Sequence, residues 1–243
     1  MTDEAKRLCI WSGPRNISTA LMYSFAQRAD TTVYDEPLYA HYLVNTEARD
    51  YHPGADEIIA TMENDGEKVV ADVILGPQPT PIAFFKQMTH HLVGLDQSFM
   101  SRTVNVMLTR HPRDMLPSYA EHVGGPTLGD VGYKMHLDLV EYLRALGQEP
   151  PVLDARVTLE NPRGVLEKLC GRIGIPFDEA MLSWPAGPRP EDGIWAEYWY
   201  AGVHRSEGFR PYEPKTDPFP DHLKALFDEC MPYYDALARE AIR

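Results

Sequence analysis

Residues Ser12–Arg28 have the sequence SGPRNISTALMYSFAQR, and the run RLCIW stands directly before them. RLCIW is short, apolar and rich in strand formers, which predicts a strand, and the apolar spacing after Thr19 predicts a helix that packs on a sheet. The loop between the two elements begins at Gly13. Because such a loop points backbone N–H groups and the positive end of a helix dipole at one place, the sequence predicts an anion-binding site here.

The side chains of this loop suit the same purpose. Arg15 offers a guanidinium fork that matches phosphate or sulfate oxygens, and the Ser18 and Thr19 hydroxyls add neutral donors, although both could instead be helix N-cap residues. The second glycine and the lysine of the GxxxxGK[ST] nucleotide-triphosphate motif are missing, which argues against ATP hydrolysis. The residues predicted to hold the anion are Gly13, Pro14, Arg15, Asn16, Ile17, Ser18 and Thr19.

The composition describes an ordinary globular protein with an acidic balance. The chain has 243 residues, 44% of them hydrophobic, and a formal net charge of −13. This charge argues against a nucleic-acid partner or an anionic membrane surface, because either needs a positive face. The three cysteines are too widely spaced to indicate a disulfide framework or a metal site. We see neither a signal-peptide pattern nor a membrane-spanning apolar run, and expect a cytoplasmic protein.

Predicted strands and helices alternate along the chain, which favours an α/β fold. This order predicts a mostly parallel sheet with helices on both faces, and we interpret residues 1–243 as a single domain. Further strands are predicted at TTVYDEPLY, where the strand ends in the loop Asp35-Glu36-Pro37, and at IAFFKQM, TVNVMLTR and PPVLDARVTL, while the apolar, β-branched run KVVADVIL is broken by Gly76-Pro77. Further helices are predicted at Thr127–Leu146, at NPRGVLEKLCGRIGI with Gly174 as its C-terminal cap, and at HLKALFDECMPYYDALAREAI.

A second anion site is predicted at the end of a later strand. Arg110 ends TVNVMLTR, and Ser118 lies eight positions later in the following helix. Ligands of open parallel sheets collect at the carboxyl ends of the strands, so Arg110 and the first loop are expected to face one crevice. Two anion sites in one crevice indicate a ligand with two separate anionic groups. The alternative for Arg110 is a structural salt bridge.

These segments resemble the PAPS-dependent sulfotransferases, where PAPS is 3′-phosphoadenosine 5′-phosphosulfate. SGPRNISTALMYSF resembles their 5′-phosphosulfate loop, and VMLTRHPRDMLPSY resembles their 3′-phosphate motif, an arginine at a strand end with a serine eight positions on. VLDARVTLENPRGVLEKLCGRIGIPFDEAML is similar to a late segment of the family. VHRSEGFRPY resembles a reduced form of the C-terminal loop that closes over the 3′-phosphate. The resemblance extends, with gaps, from Cys9 to about Phe209.

The resemblance implies a P-loop-type three-layer fold with a central, mostly parallel sheet flanked by helices. It implies PAPS as co-substrate, no required metal, and a small-molecule or sugar acceptor whose hydroxyl or amine receives the sulfuryl group. Arg15 would stabilise the bridging and leaving oxygens. The residues implied at the 3′-phosphate are Arg110, Ser118, Arg205, Ser206 and Gly208. The sequence does not indicate an oligomeric state.

The sequence leaves the catalytic base open between a glutamate and a histidine. YDEPLY resembles the Glu-Pro phrase of carbohydrate-type members, in which a glutamate takes the acceptor proton, and Glu36 is held extended before a proline. Glu36 could instead pair with an arginine. FFKQMTHH has Lys86 at the strand end, but its histidines come later than in small-molecule members. The alternative candidates for the base are His41, His90 and His91. The candidate catalytic residues are thus Glu36, Arg15 and His90.

Residues 178–220 are rich in proline, tryptophan and tyrosine, and we predict an ordered loop there. Its aromatic side chains could wall an acceptor pocket, stack on adenine or form a local core, of which the local core is slightly favoured. Two other functions stay open. One is a kinase-like enzyme with a degenerate phosphate loop, and the other is a non-catalytic nucleotide-binding protein that kept the fold and lost the base.

Overall fold

The computed structural model of the protein describes residues 5–243. Within them the strands are β1 Lys6–Ser12, β2 Thr31–Asp35, β3 Ile82–Met88, β4 Val104–Thr109 and β5 Val152–Asp154. They form one five-stranded sheet in the order β2–β3–β1–β4–β5, and each strand pairs in parallel with its neighbours. The prediction of a parallel sheet is therefore confirmed.

Helices connect the strands, as parallel pairing requires. The α-helices are α1 Ser18–Ala26, α2 Tyr39–Val44, α3 Ala55–Thr61, α4 Gly66–Val69, α5 Pro112–Ala120, α6 Leu128–Val131, α7 Tyr133–Ala145, α8 Ala155–Glu160, α9 Pro162–Ile173, α10 Ala196–Trp199 and α11 Lys224–Ala238. A π-helical turn covers Val70–Ile74. Short 3-10 helices cover Glu47–Asp50, Thr89–Leu92, Gln97–Arg102, Glu179–Leu182, Val203–Arg205 and Asp221–Leu223. Within residues 5–243, none of the helices combines the length and apolar character needed to cross a membrane.

Both faces of the sheet are buried, as the central strand β1 shows. Successive side chains of a strand point to opposite faces. Leu8 and Ile10 pack in the core cluster that contains side chains of α1 and α9, whereas Cys9 and Trp11 pack in the cluster that contains side chains of α7 and of the π-helical turn. All four side chains are fully buried. The sheet is thus the middle layer of three, which confirms the predicted α/β architecture.

The strand ends that carry the predicted site meet at one edge of the sheet. Ser12, the last residue of β1, pairs with Met88 of β3 and Leu108 of β4. Asp35, the last residue of β2, pairs with Lys86 of β3. The loops that follow these strands therefore begin side by side.

Two predicted elements are wrong in extent. The helix predicted over Thr127–Leu146 is interrupted at Gly132, whose φ of 73° is left-handed and separates α6 from α7. The strand predicted over PPVLDARVTL ends at Asp154, because the Asp154 carboxylate accepts hydrogen bonds from the backbone N–H groups of Arg156 and Val157 and so caps α8.

The apolar run KVVADVIL is helical, and Asp65 explains why. The Asp65 carboxylate accepts hydrogen bonds from the backbone N–H groups of Glu67 and Lys68 at 3.1 and 3.2 Å. This cap begins α4, so the run that follows is helical and does not form a strand. The prediction for α9 is confirmed, since the helix ends at Gly174 with a left-handed φ of 69°.

Candidate active site

The loop between β1 and α1 carries unusual backbone geometry. Arg15 and Ile17 have φ of 60° and 63°, in the left-handed region that a β-branched isoleucine rarely adopts. Ile17 occupies the cap position of α1, and no side chain among the described residues caps that helix. The N-cap alternative for Ser18 and Thr19 is therefore wrong, because both lie inside the first turn. The open helix start leaves backbone donors for an anion.

A cavity of about 430 Å³ lies at the carboxyl ends of β1 to β4. The loop after β1, the residue after β2, the end of β3 and the residue after β4 all contribute to its wall. The structure thus brings the two predicted anion sites to one cavity. The candidate residues that line it are Pro14, Arg15, Asn16, Ile17, Ser18, Thr19, Glu36, His90, His91, Arg110, Ser206 and Gly208.

Gly13 and Ser118 lie behind the lining. A Cβ on Gly13 would lie 2.6 Å from the Val131 carbonyl oxygen, so a glycine lets the loop pass close to that backbone. Ser118 accepts a hydrogen bond at 3.0 Å from Nε of Arg15. Both residues therefore support the anion loop, and neither forms part of the cavity wall.

Arg205 and His41 also lie outside the lining. Arg205 is exposed, and its carbonyl oxygen accepts from Nη2 of Arg210 at 2.8 Å. Arg210 lines the cavity, whereas Arg205 does not. Nε2 of His41 lies 2.8 Å from the Val93 carbonyl oxygen. These positions argue against direct roles for Arg205 at the phosphate and for His41 as the base.

Arg15 and Arg110 form a pair of cations without carboxylate partners in the described part of the chain. Nη1 of Arg110 donates to the Arg15 carbonyl oxygen at 2.7 Å, and Nη1 of Arg15 donates to the Trp199 carbonyl oxygen at 2.8 Å. Burial lowers the pKa of both groups, and the charge of Arg110 lowers the pKa of Arg15 further. Arginine stays charged in spite of such shifts. Carboxylates farther away, among them Glu121 for Arg15 and Asp114 for Arg110, offset these shifts in part. Two adjacent cations without a salt-bridge partner are suited to an anionic ligand, and the structural salt bridge considered for Arg110 is absent among residues 5–243.

Lys215 adds a further positive charge near this pair. Burial lowers its pKa, and repulsion by Arg110 and Arg15 lowers it further, which places its ammonium within electrostatic reach of both. Sequence reasoning missed Lys215, because a lysine in a proline-rich loop carries no signal of its own.

Glu36 belongs to a buried charge cluster at the ends of β2 and β3. Nζ of Lys86 donates to Glu36, to Asp35 at 2.8 Å and to the Tyr200 hydroxyl at 2.6 Å. Burial raises the pKa of Glu36 to about 7, while the charge of Lys86 opposes the increase and that of Asp35 adds to it. The alternative prediction, that Glu36 pairs with an arginine, is wrong about the partner, because the residue that binds Glu36 is Lys86.

Three non-glycine residues within residues 5–243 have a positive φ, and all of them line the cavity. They are Arg15, Ile17 and Glu36, the last with φ of 45°. The extended conformation predicted for Glu36 from the proline that follows it is therefore wrong. Such conformations cost about 1–3 kcal/mol each and persist where the surrounding structure imposes them, commonly at ligand sites. Backbone strain and charge therefore coincide in this cavity.

Aromatic and imidazole rings form the other wall of the cavity. Tyr39 stacks on His91 with ring centroids 4.9 Å apart, and Trp195 meets Tyr39 edge-on at 5.1 Å. The rings in the lining are Tyr39, His52, His90, His91, Tyr119, Trp195, Trp199, Tyr200 and Phe209.

Of the predicted aromatic loop, Trp184 is buried in the cluster with side chains of α1 and α9, and Tyr198 is exposed. Trp195 and Tyr200 are buried in a local cluster with side chains of α2 and α3, and Trp199 packs against it. The favoured interpretation as a local core is therefore confirmed for these three residues, which line the cavity as well.

Comparison with known proteins identifies the family. The family model described as "Sulfotransferase domain" matches residues 6–241. The chain belongs to the sulfotransferase family. This confirms the resemblance that the anion loop and the Arg110 motif indicated.

Solved sulfotransferases share the fold. The sulfotransferase domain from the curacin biosynthetic pathway superposes with a TM-score of 0.52 at 14% identity, covering 93% of this chain and 98% of that one. A sulfotransferase from Alicyclobacillus acidocaldarius superposes with a TM-score of 0.56 at 11% identity, covering 98% and 97%. At these identities the likeness shows the fold alone.

A curated relative is a longer protein than this chain. The branched-chain-amino-acid aminotransferase-like protein 2 of Arabidopsis thaliana is 40% identical over 228 residues, which are 93% of this sulfotransferase chain and 40% of that protein. The chain thus spans about two fifths of the relative's length, and the relative's name applies to that whole protein.

The histidines of the sulfotransferase cavity are uncharged at neutral pH. Burial lowers the pKa of His90 to about 3 and that of His52 to about 4, and it lowers the pKa of His91 well below its usual value. A pKa this low makes His90 a weak proton acceptor. Glu36, whose pKa lies near neutrality, is better matched to that task.

Buried neutral histidines predict an acid-sensitive fold. The pKa is lowered in the folded state to about 3 for His90 and to about 4 for His52 and His136, whereas an unfolded histidine titrates at about 6.5. Below that pH the unfolded chain binds protons that the folded protein does not, so the free energy of unfolding falls as the pH drops from about 6.5 to about 4, by up to about 1.4 kcal/mol per pH unit and histidine. The raised pKa of Glu36 changes the free energy of unfolding in the opposite direction, but it is one group against three histidines.

Urea unfolding at a series of pH values measures this slope. We expect His90→Gln to reduce the slope of the free energy of unfolding against pH by the contribution of one histidine, whatever the variant does to stability at neutral pH. A free energy of unfolding that stays constant down to pH about 4.5 would contradict the prediction.

A metal-binding cluster is not found in the described part of the chain: no group of three or more His, Cys, Asp or Glu side chains is arranged around a common point.

Proposed function

We propose that this sulfotransferase transfers a sulfuryl group from PAPS to a hydroxyl or amine of a small-molecule or sugar acceptor. The observation that supports PAPS best is that Arg15 and Arg110 line one cavity and that neither forms a salt bridge with a described carboxylate. PAPS carries a 5′-phosphosulfate and a 3′-phosphate, and so offers two anionic groups to two cations. The open start of α1 adds backbone donors at the same place.

The chain's residues fit the donor in distinct roles. Arg15 and the 13–19 loop would bind the phosphosulfate and stabilise the charge that develops on the departing phosphate. Arg110 would bind the 3′-phosphate, and the exposed Lys215 lies within electrostatic reach of Arg110. Ser206 and Gly208 line the same cavity. The bound donor supplies the sulfuryl group, while these residues orient it and neutralise charge.

Glu36 would take the proton of the acceptor. One of its oxygens is bound by Lys86, and the other, Oε2, lies 4.0 Å from Nε2 of His91. As the acceptor oxygen or nitrogen forms its bond to sulfur, its own bond to hydrogen breaks toward Glu36, and the bond from sulfur to the phosphate oxygen breaks. In such an in-line displacement the proton and the leaving group depart on opposite sides of the sulfur atom.

The ring wall favours an acceptor with a flat or apolar face. Tyr39, Trp195 and Trp199 offer ring surface beside Glu36, and aromatic side chains bind planar and apolar groups through such surface. The three neutral histidines add hydrogen-bonding edges without adding charge. We therefore expect an uncharged ring-bearing acceptor to bind better than an anionic one.

Calorimetric titration with adenosine 3′,5′-bisphosphate, ADP and ATP tests the donor assignment. We expect the 3′-phosphorylated nucleotide to bind at least about tenfold more tightly than ADP, because a second charged contact is worth about 1.4 kcal/mol or more. Equal or tighter binding of ATP would contradict PAPS use and favour a kinase-like enzyme. Tight binding of the bisphosphate without transfer from PAPS to any acceptor would favour a non-catalytic protein.

A further inference from the structure

Asp35 is a buried carboxylate for which sequence reasoning gave no role. It is the last residue of β2, and its side chain is 2% exposed. It accepts hydrogen bonds from Nζ of Lys86 at 2.8 Å, from the Tyr200 hydroxyl at 2.7 Å and from the backbone N–H of Gly193 at 3.1 Å. It does not contribute to the cavity lining. Its effect on the reaction must therefore pass through its partners.

Lys86 divides its charge between two carboxylates. A lysine ammonium has three N–H donors, and the acceptors within reach of Lys86 are Asp35, Glu36 and the Tyr200 hydroxyl. Each acceptor thus matches one donor. With both carboxylates ionised, the cluster contains two negative charges and one positive charge, so one negative charge is not neutralised.

We propose that Asp35 is a positioning residue for proton transfer at Glu36: by binding Lys86 it keeps that cation from pairing completely with Glu36, and so leaves the Glu36 carboxylate able to accept a proton. The inference rests on the proposed function, in which Glu36 is the base. Without Asp35, Lys86 and Glu36 would form a closed, neutral ion pair, and such a carboxylate is a poor proton acceptor.

The other groups around Glu36 do not change this balance near neutral pH. His91 is uncharged, because burial lowers its pKa well below the usual value. Tyr39 and Tyr200 are uncharged, because burial raises their pKa well above the usual value. The titratable groups that face Glu36 are Asp35 on β2, Lys86 on β3, His91 after β3, Tyr39 on α2 and Tyr200 after α10.

Asp35→Asn tests the inference, because asparagine keeps the size and polarity of the side chain and removes its charge. The protein is labelled with 13C at the glutamate carboxyl carbons, the Glu36 signal is identified by its loss in Glu36→Gln, and its titration midpoint is measured. We expect a midpoint near the pKa of about 7 in the unsubstituted protein. In Asp35→Asn we expect it to fall by about 1 pH unit or more, as happens when an opposite charge is no longer shared.

Tyr200→Phe is the matched control. It removes the hydrogen bond that the hydroxyl donates to Asp35 and those that it accepts from Lys86 and Trp195, but it leaves all three charges of the cluster in place. We expect its Glu36 midpoint to move by less than half of the Asp35→Asn shift. Loss of packing alone would affect both variants, whereas loss of charge affects only Asp35→Asn.

An unchanged or raised midpoint in Asp35→Asn would overturn the inference. If that variant does not fold, Lys86→Gln replaces it: without the cation, the two carboxylates repel each other, and the midpoint must rise. A fall there would also overturn the inference. The proposed function fails separately, if Glu36→Gln keeps full transfer activity while the midpoints move as expected.

Discussion

Arg110→Ala is expected to weaken binding of adenosine 3′,5′-bisphosphate by about 30- to 1,000-fold, which corresponds to about 2–4 kcal/mol. Arg110 is half-buried and lines the cavity, its described hydrogen bond goes to the Arg15 carbonyl oxygen, and no described carboxylate forms a salt bridge with it. A phosphate that loses this partner stays in a desolvated place without its charge-assisted hydrogen bonds. ADP, which has no 3′-phosphate, is expected to lose much less. Calorimetric titration of both nucleotides measures the difference.

Arg113→Ala is the matched control for Arg110→Ala. Arg113 lies three positions later in α5, is exposed, and donates to the Asp217 carbonyl oxygen at 3.3 Å outside the cavity lining. Its replacement removes the same charge from the chain, and we expect the affinity for the bisphosphate to stay within about twofold, since exposed charges contribute little. Equal losses in the two variants would show that net charge matters and that the position of Arg110 does not.

Glu36→Gln is expected to lower the turnover of sulfuryl transfer by about 10²- to 10⁴-fold, the usual contribution of a general base. Glutamine has nearly the same shape and can still accept from Lys86, so nucleotide affinity is expected to stay unchanged. A base must be deprotonated to act. Since the pKa of Glu36 is about 7, turnover of the unsubstituted enzyme is expected to rise as the pH increases through about 7 and then level off. Glu36→Gln should lose this pH dependence.

Glu207→Gln controls for the loss of a carboxylate near the cavity. Glu207 stands between Ser206 and Gly208, which line the cavity, but is itself exposed and outside the lining. Its replacement is expected to leave turnover and its pH dependence unchanged. Turnover of Glu36→Gln within about tenfold of the unsubstituted enzyme would exclude Glu36 as the base and return attention to the neutral histidines.

The anion loop was predictable because its signals are local. An apolar strand, a glycine, an arginine and a helix pattern follow one another in Ser12–Arg28, and the structure has β1, the loop and α1 in that order. Arg110 was predictable for a similar reason, since a strand end is visible in the sequence. The bounds of shorter elements were harder to predict from the sequence. Asp154, whose carboxylate caps the next helix, lies inside a run of strand-forming residues.

The charge cluster and the ring wall were not predictable from local patterns. Asp35 contacts Lys86 only because β2 lies next to β3 in the sheet, and the order of the strands cannot be predicted from either segment alone. The ring wall collects side chains from α2, from the turn after β3, from α5 and from the segment around α10. Each of these segments alone resembles ordinary core, and only tertiary packing gives them a common surface.

The position of β1 has a consequence for how the protein folds during synthesis. Of the five strands of the sheet, β1 is synthesised first, yet it lies in the middle of the sheet, and Ser12 is separated from its neighbour Met88 by 76 positions. Its other neighbour, β4, is made later still. The nascent strand therefore stays without its first partner until β3 has been made up to Met88, and without its second until β4 has been made up to Thr109. This makes it dependent on slow, long-range pairing and exposes it to aggregation meanwhile. The ability to bind an anion is thus gained late, since the loop after β1 is shaped only when both neighbouring strands are in place.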